Sequence, residues 1–152
     1  MTALSYAEAA RARKASEAYD MGIDDVLISR LVEQFYAAIR THEMLGPIFE
    51  HRVVNWTPHL ARMKDFWASI AIESGRFSGN PMQKHSAIPD LTPAHFAAWL
   101  TLWDATVADV VTDPAAADLF RDRARRIATS LQTGIALHNG GLAALVKGEV
   151  TC

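Results

Sequence analysis

Two histidines stand where an imidazole can do chemistry. His85 lies in Asn80-Pro81-Met82-Gln83-Lys84-His85-Ser86-Ala87-Ile88-Pro89, a stretch too brief for an ordinary core helix and bounded by a helix-start pair and a proline stop. Such a segment serves to present one side chain. His59 leads a row of apolar residues, Met63, Phe66, Trp67 and Ile70, at the spacings that share one helix face. An imidazole aimed at an apolar space is costly unless something binds it. Two of them facing one cavity point to a bound metal cofactor. A haem iron needs a neutral imidazole on one face whose other ring nitrogen donates to a backbone carbonyl, and the end of a short helix supplies such carbonyls. His85 meets that requirement. His95, one helical turn before Trp99, is its rival for the same cavity.

The remaining polar candidates read more plainly. Tyr36 and Trp99 are either core aromatics whose polar atoms find backbone partners or donors over a bound gas. His42 and His51 flank Leu45-Gly46-Pro47-Ile48-Phe49 without a third ligand for zinc, and His138 before Gly140-Gly141 suits a cation at a helix C-terminus. Arg121, Arg123, Arg125 and Arg126 are interleaved with Asp118 and Asp122 at helical spacing, which describes a solvated face. A phosphate-cradling glycine loop, a nucleophile elbow and a His-Glu-x-x-His pair are all missing.

Helices must position these groups. Four pairs, Thr57-Pro58, Asn80-Pro81, Thr92-Pro93 and Asp113-Pro114, each set a good N-cap residue before proline at the first helical position. A further start is expected near Asp24. The pattern predicts a loosely helical arm over 4–18, helices over 24–41, 57–74, 93–111 and 114–138, a single turn near 43–46 and the short 81–86 segment. Apolar stripes run through Leu27, Leu31, Phe35 and Ile39, and through Phe96, Trp99, Leu100, Trp103, Val107 and Val110. Strand signals are lacking, so the fold class is all-α.

At 152 residues the chain is long enough for one substantial core without disulfides. A formal charge of -2 gives no field that would make nucleic acid or an anionic membrane the main partner. No segment resembles a membrane span or a secretory signal, so the cytoplasm is the expected location. The single cysteine, Cys152, allows no intrachain disulfide, and the absence of Cys-x-x-Cys-His excludes covalent haem attachment.

Taken in order, Phe35-Tyr36, then Leu45-Gly46-Pro47-Ile48-Phe49, then His59-x-x-x-Met63-x-x-Phe66-Trp67, then Gly79-x-Pro81-x-x-x-His85, then Phe96-x-x-Trp99-Leu100 resemble the truncated haemoglobins, and within them the third group. Phe77 stands where tyrosine is expected in Tyr-x-Gly-x-Pro. The resemblance implies a globin-like two-over-two helical sandwich enclosing haem b, with an N-terminal helical arm over 1–20, the globin domain over 21–140 and a C-terminal tail over 141–152. It implies His85 as proximal iron ligand and Tyr36, His59 and Trp99 on the distal side. Phe35, Phe49, Met63 and Phe66 would wall the haem, and Arg62 would reach a propionate. The function so implied is tight binding of dioxygen and of other small ligands (nitric oxide, carbon monoxide, peroxide). Nitric oxide dioxygenase or peroxidase-like turnover would need an external reductase, in a monomer or weak homodimer. A simple oxygen carrier, a gas sensor and a six-coordinate electron-transfer protein are the alternatives.

Overall fold

The computed structural model describes residues 5–86, 88 and 91–150, and within these the side chains of 82, 83, 86 and 138–150 are left aside. Seven helices account for the described residues: α1 (Tyr6–Asp20), α2 (Asp25–Thr41), α3 (Leu45–Arg52), α4 (Trp56–Ile72), α5 (Pro81–Ser86), α6 (Pro93–Val110) and α7 (Pro114–Val150). α2 lies on α4, α6 lies on α7, and the two pairs meet through α2 with α6 and α4 with α7. This is the expected two-over-two sandwich. The short α5 rests on α7, and α1 packs along α4.

Caps explain most boundaries. Asp24 Oδ1 accepts from the Leu27 amide at 2.8 Å and Asp113 Oδ2 from the Ala116 amide at 2.9 Å, each satisfying an amide with no partner in the helix. Three starts differ from the sequence expectation. α4 begins at Trp56 because Asn55 Oδ1 accepts from the Thr57 amide at 3.2 Å, so Asn55 is the cap and Pro58 falls later in the first turn, where it still removes no helical hydrogen bond. α1 is no loose arm: Ser5 and Glu8 form a reciprocal capping box. α3 is a helix of two turns, where a single turn near 43–46 was expected. His42 Nδ1 accepts from the Met44 and Leu45 amides at 3.1 Å, and Gly46 allows α3 to press against α2, since a Cβ there would come within 2.8 Å of the Arg40 carbonyl oxygen.

The helix expected to end at 138 runs on to Val150. A glycine pair weakens a helix without ending it unless the chain turns left-handed there. His138 is therefore not at the end of its helix, although its side chain lies outside the described residues, as does Cys152.

The core centres on rings. Phe35, Trp67, Trp103 and Phe120 are buried together with Leu31, Ile39 and Val107. Trp67 and Trp103 stack with centroids 4.3 Å apart, and Trp103 Nε1–H donates to the Phe120 carbonyl at 3.0 Å. The arginine-rich face of α7 is paired as expected of a solvated surface: Arg125 bonds Asp104 at 2.6 Å and Arg126 bonds Asp122 at 3.1 Å.

Candidate functional site

α2, α3 and α4 converge on one group of rings. Tyr36 from α2 meets His59 from α4 edge-on at 5.1 Å and 89°, and Phe49 from α3 at 5.7 Å. Trp56, one turn before His59, completes the group at 5.5 Å from His59, 5.9 Å from Tyr36 and 6.5 Å from Phe49. Sequence reasoning passed over Trp56 because the Thr57-Pro58 pair set the helix start one residue too late. With Asn55 as the cap, the i, i+3 relation to His59 was there to be read.

The electrostatics of this group are unusual for a protein interior. His59 Nε2 and Trp56 Nε1 are buried with no hydrogen-bond partner among the described residues. Burial, then the nearby Arg62 and Lys84 cations, hold His59 below the usual histidine pKa, so its imidazole is neutral near neutral pH. Burial pushes the Tyr36 phenol far above its ordinary value, so it keeps its proton and remains a donor. Native interiors leave few buried polar atoms unpaired, and such atoms mark places where something else binds.

Phe35 links this group to the core. It meets Tyr36 at 5.2 Å on one side and Trp99 at 5.7 Å on the other. Trp99 lies nearly parallel to Trp103 at 6.2 Å, beside the buried rings, and Phe35 touches both it and Tyr36. Met63 and Phe66 are half-buried on the same helix as His59. Phe66 also packs edge-on against Phe77 at 5.1 Å, so the phenylalanine in place of the expected tyrosine serves as a packing ring.

His85 stands apart on α5. Its Nδ1 lies 2.7 Å from the Pro81 carbonyl oxygen, the partner that fixes the tautomer with the proton on Nδ1 and leaves Nε2 free to ligate. The Lys84 cation beside it contributes, after burial and Arg62, to holding the His59 pKa down. His95 is otherwise engaged: its Nδ1 accepts from the Thr92 amide at 3.0 Å and bonds the Thr92 hydroxyl at 2.8 Å, so it caps α6. Among the described residues no cluster of three or more His, Cys, Asp or Glu side chains could hold a bare metal ion.

The connector from α4 to α5 is tied down at several points. Lys14 of α1 bonds Glu73 at 2.8 Å, Arg76 pairs with Asp25 at the start of α2, and Ser69 Oγ accepts from the Phe77 amide at 3.1 Å. Gly79, at φ 155°, occupies a conformation other residues rarely adopt, and a Cβ there would meet Phe77 at 3.1 Å and the Arg62 guanidinium at 3.2 Å. Arg62 is thus exposed but lies over the approach to α5. A cleft of about 590 Å³ between Ala38, Thr41, His42, Met44 and Leu102 touches none of the predicted site residues.

No family model matches the chain. It is 29% identical over 122 residues to the group 3 truncated hemoglobin ctb of Campylobacter jejuni, a match covering 78% of this chain and 95% of that protein. The crystal structure of group III truncated hemoglobin from Campylobacter jejuni aligns with a TM-score of 0.70 at 29% identity, over 74% of this chain and 91% of that one. Sequence and fold together support the resemblance to the group III truncated haemoglobins. That likeness implies a haem cofactor, and the residues present fit one. His85 has one ring nitrogen anchored and the other free, and two buried ring nitrogens on α4, of Trp56 and His59, lack partners among the described residues.

Proposed function

We propose that this protein is a truncated haemoglobin that binds haem b through His85 and holds dioxygen tightly, for reaction with small reactive species rather than for bulk delivery. The observation that carries the reading is the contrast between its two imidazoles: His85 is anchored through Nδ1 to Pro81, and the His59 Nε2 is buried without a partner. Bound haem b supplies an iron centre that takes diatomic ligands and exchanges electrons.

The rest falls to the chain's own groups. The Pro81 carbonyl keeps the His85 ring in the ligating tautomer. Tyr36 offers a phenol that stays protonated, Trp99 an indole N–H, and His59 a neutral imidazole able to donate from one nitrogen and accept at the other. Phe35, Phe49, Met63 and Phe66 keep water out, which strengthens each polar contact. Arg62 would pair with a propionate at the edge. Hydrogen bonds to charged acceptors contribute about 1.5 to 3 kcal/mol each, so two donors slow release of a ligand by about 10² to 10⁴. Release that slow suits nitric oxide dioxygenation or peroxide activation.

The chain shows no flavin or nicotinamide fingerprint, so turnover calls for a separate reductase. A cytoplasmic monomer or weak homodimer belongs to the same reading, and no helix among the described residues is long and apolar enough to cross a membrane. Absorbance spectra of oxidised, reduced and carbon monoxide-treated protein test it directly. His85→Ala loses the Soret band and the carbon monoxide difference spectrum; a variant that keeps both overturns the assignment. Catalytic consumption of nitric oxide with a reductant present separates this role from that of a carrier or sensor. A six-coordinate low-spin ferrous spectrum without added ligand would instead make His59 or Met63 a second axial ligand.

A further inference from the structure

Glu73 stands where the backbone favours other residues. It closes α4 in the left-handed region, at φ 53° and ψ 40°, and glycines aside it is the one described residue with a positive φ. A side chain with a Cβ is disfavoured there, and glycine or asparagine is the usual choice. A carboxylate is also at the wrong end of α4, because the last carbonyls present negative partial charge and no basic residue lies in the last turn. Two local forces thus oppose Glu73. What offsets them is distant in sequence: the carboxylate meets Lys14 of α1 at 2.8 Å.

α1 needs that contact. Its inward face consists of Ala9, Ala10, Ala15 and Ala18 with Lys14 among them, while Tyr6 and Tyr19 are exposed. Methyl groups bury little apolar area, so they hold a helix against α4 without fixing where along it the helix sits. The Lys14–Glu73 pair fixes it. Beyond Glu73 the chain passes Arg76, paired with Asp25 of α2 and at 3.7 Å with Asp65 of α4, and Phe77, whose amide donates to Ser69 Oγ. It then enters α5, which has six residues and leans on α7. A helix so short does not hold its own place, so the connector helps to decide where His85 stands.

We propose that the connector is an ionic strap and that Glu73 extends it to α1, so that a helix outside the sandwich helps to keep His85 in position and haem in place. The strap rests on the reading of His85 as the haem ligand. Lys14 and Glu73 are positioning residues that act through the connector. Their side chains are 37% and 29% exposed, so solvent screens the pair and its effect is modest.

Transfer of haem from the loaded protein to an acceptor protein tests it. E73N supplies a residue that the left-handed backbone accepts more readily and that carries no charge toward Lys14. It loses haem about threefold faster, Lys14→Met does the same, and the charge-swapped K14E/E73K returns to the wild-type rate. If Glu73 is only a cap, E73N keeps haem as well as wild type or better, and that result overturns the strap. So does a swapped pair that stays as fast as E73N. Hydrogen exchange of the purified protein gives a second readout that needs no haem. In E73N the α1 amides around Lys14 and the connector amides of Ser74 and Phe77, bonded in wild type to the Ala68 carbonyl and Ser69 Oγ, exchange faster. Unchanged protection at either place overturns the strap, and loosened amides with an unchanged transfer rate do so too. Protein that takes up no haem sinks the proposed function instead, and the exchange still reads the strap.

Discussion

α2 carries two adjacent rings, Phe35 and Tyr36, that open onto two differently built aromatic groups. On the Phe35 side, Trp103 is fully buried and its indole N–H is paired with the Phe120 carbonyl. On the Tyr36 side, Trp56 is half-buried with its indole N–H unpaired, beside an imidazole in the same condition. The residue types are alike and the accounting of polar atoms is opposite. A ring cluster with every donor satisfied is a core, whereas one that leaves donors waiting is organised around something outside the chain. Trp99, parallel to Trp103 yet one ring removed from Tyr36, stands on the border between them.

The sharpest way to break that contrast is by stability. Trp103→Ala removes a fully buried ring and its hydrogen bond to the Phe120 carbonyl, and should cost about 3 to 5 kcal/mol in urea unfolding of the haem-free chain. Trp56→Ala should cost about half as much or less, because no hydrogen bond is lost with it. Equal costs would mean that both groups are simply core. Gly79→Ala comes next, at about 1 to 3 kcal/mol, from a backbone conformation that only glycine adopts easily and a Cβ pressed against Phe77. Because Gly79 leads into α5, the same variant should also weaken haem retention, measured by transfer of haem to an acceptor protein.

Trp99→Phe tests the border residue. Loss of its N–H should speed dioxygen release by about tenfold, or about 1.4 kcal/mol. An unchanged release rate would assign Trp99 wholly to the core. The smallest effect is on pH dependence. The pKa of His59 in the folded chain lies below its unfolded value near 6.5, so the stability linked to its neutral form is fully present above that pH and is lost as pH falls toward the folded value. His59→Phe should flatten the acid limb of a stability–pH curve, and Lys84→Ala should raise the His59 pKa seen by NMR titration. A steeper limb in His59→Phe would show that a different group governs it.

The parts of the fold legible in the sequence were those encoded by short-range physics. Asp24, Thr92 and Asp113 announced three helix starts because a cap acts within three residues, and the 3.6-residue stripes told which faces meet. The misread boundaries depended on contacts distant in sequence. Gly46 reads as a turn residue until α2 is known to lie against it, and Pro58 marks a helix start only if Asn55 is not already the cap. For the proposed site, residue types and spacing single out His85 and His59 as candidates. Residue types could not show that the Trp56 nitrogen goes unpaired, because pairing is a property of the packed assembly.

One consequence of the α5–α7 contact concerns the order of events during synthesis. The segment presenting His85 is translated well before the helix that backs it, which begins only at Pro114. On a ribosome, therefore, the ring group of α2, α3 and α4 can gather while the opposite wall still lacks its support, and a nascent chain stalled near residue 113 should capture haem poorly however long it waits.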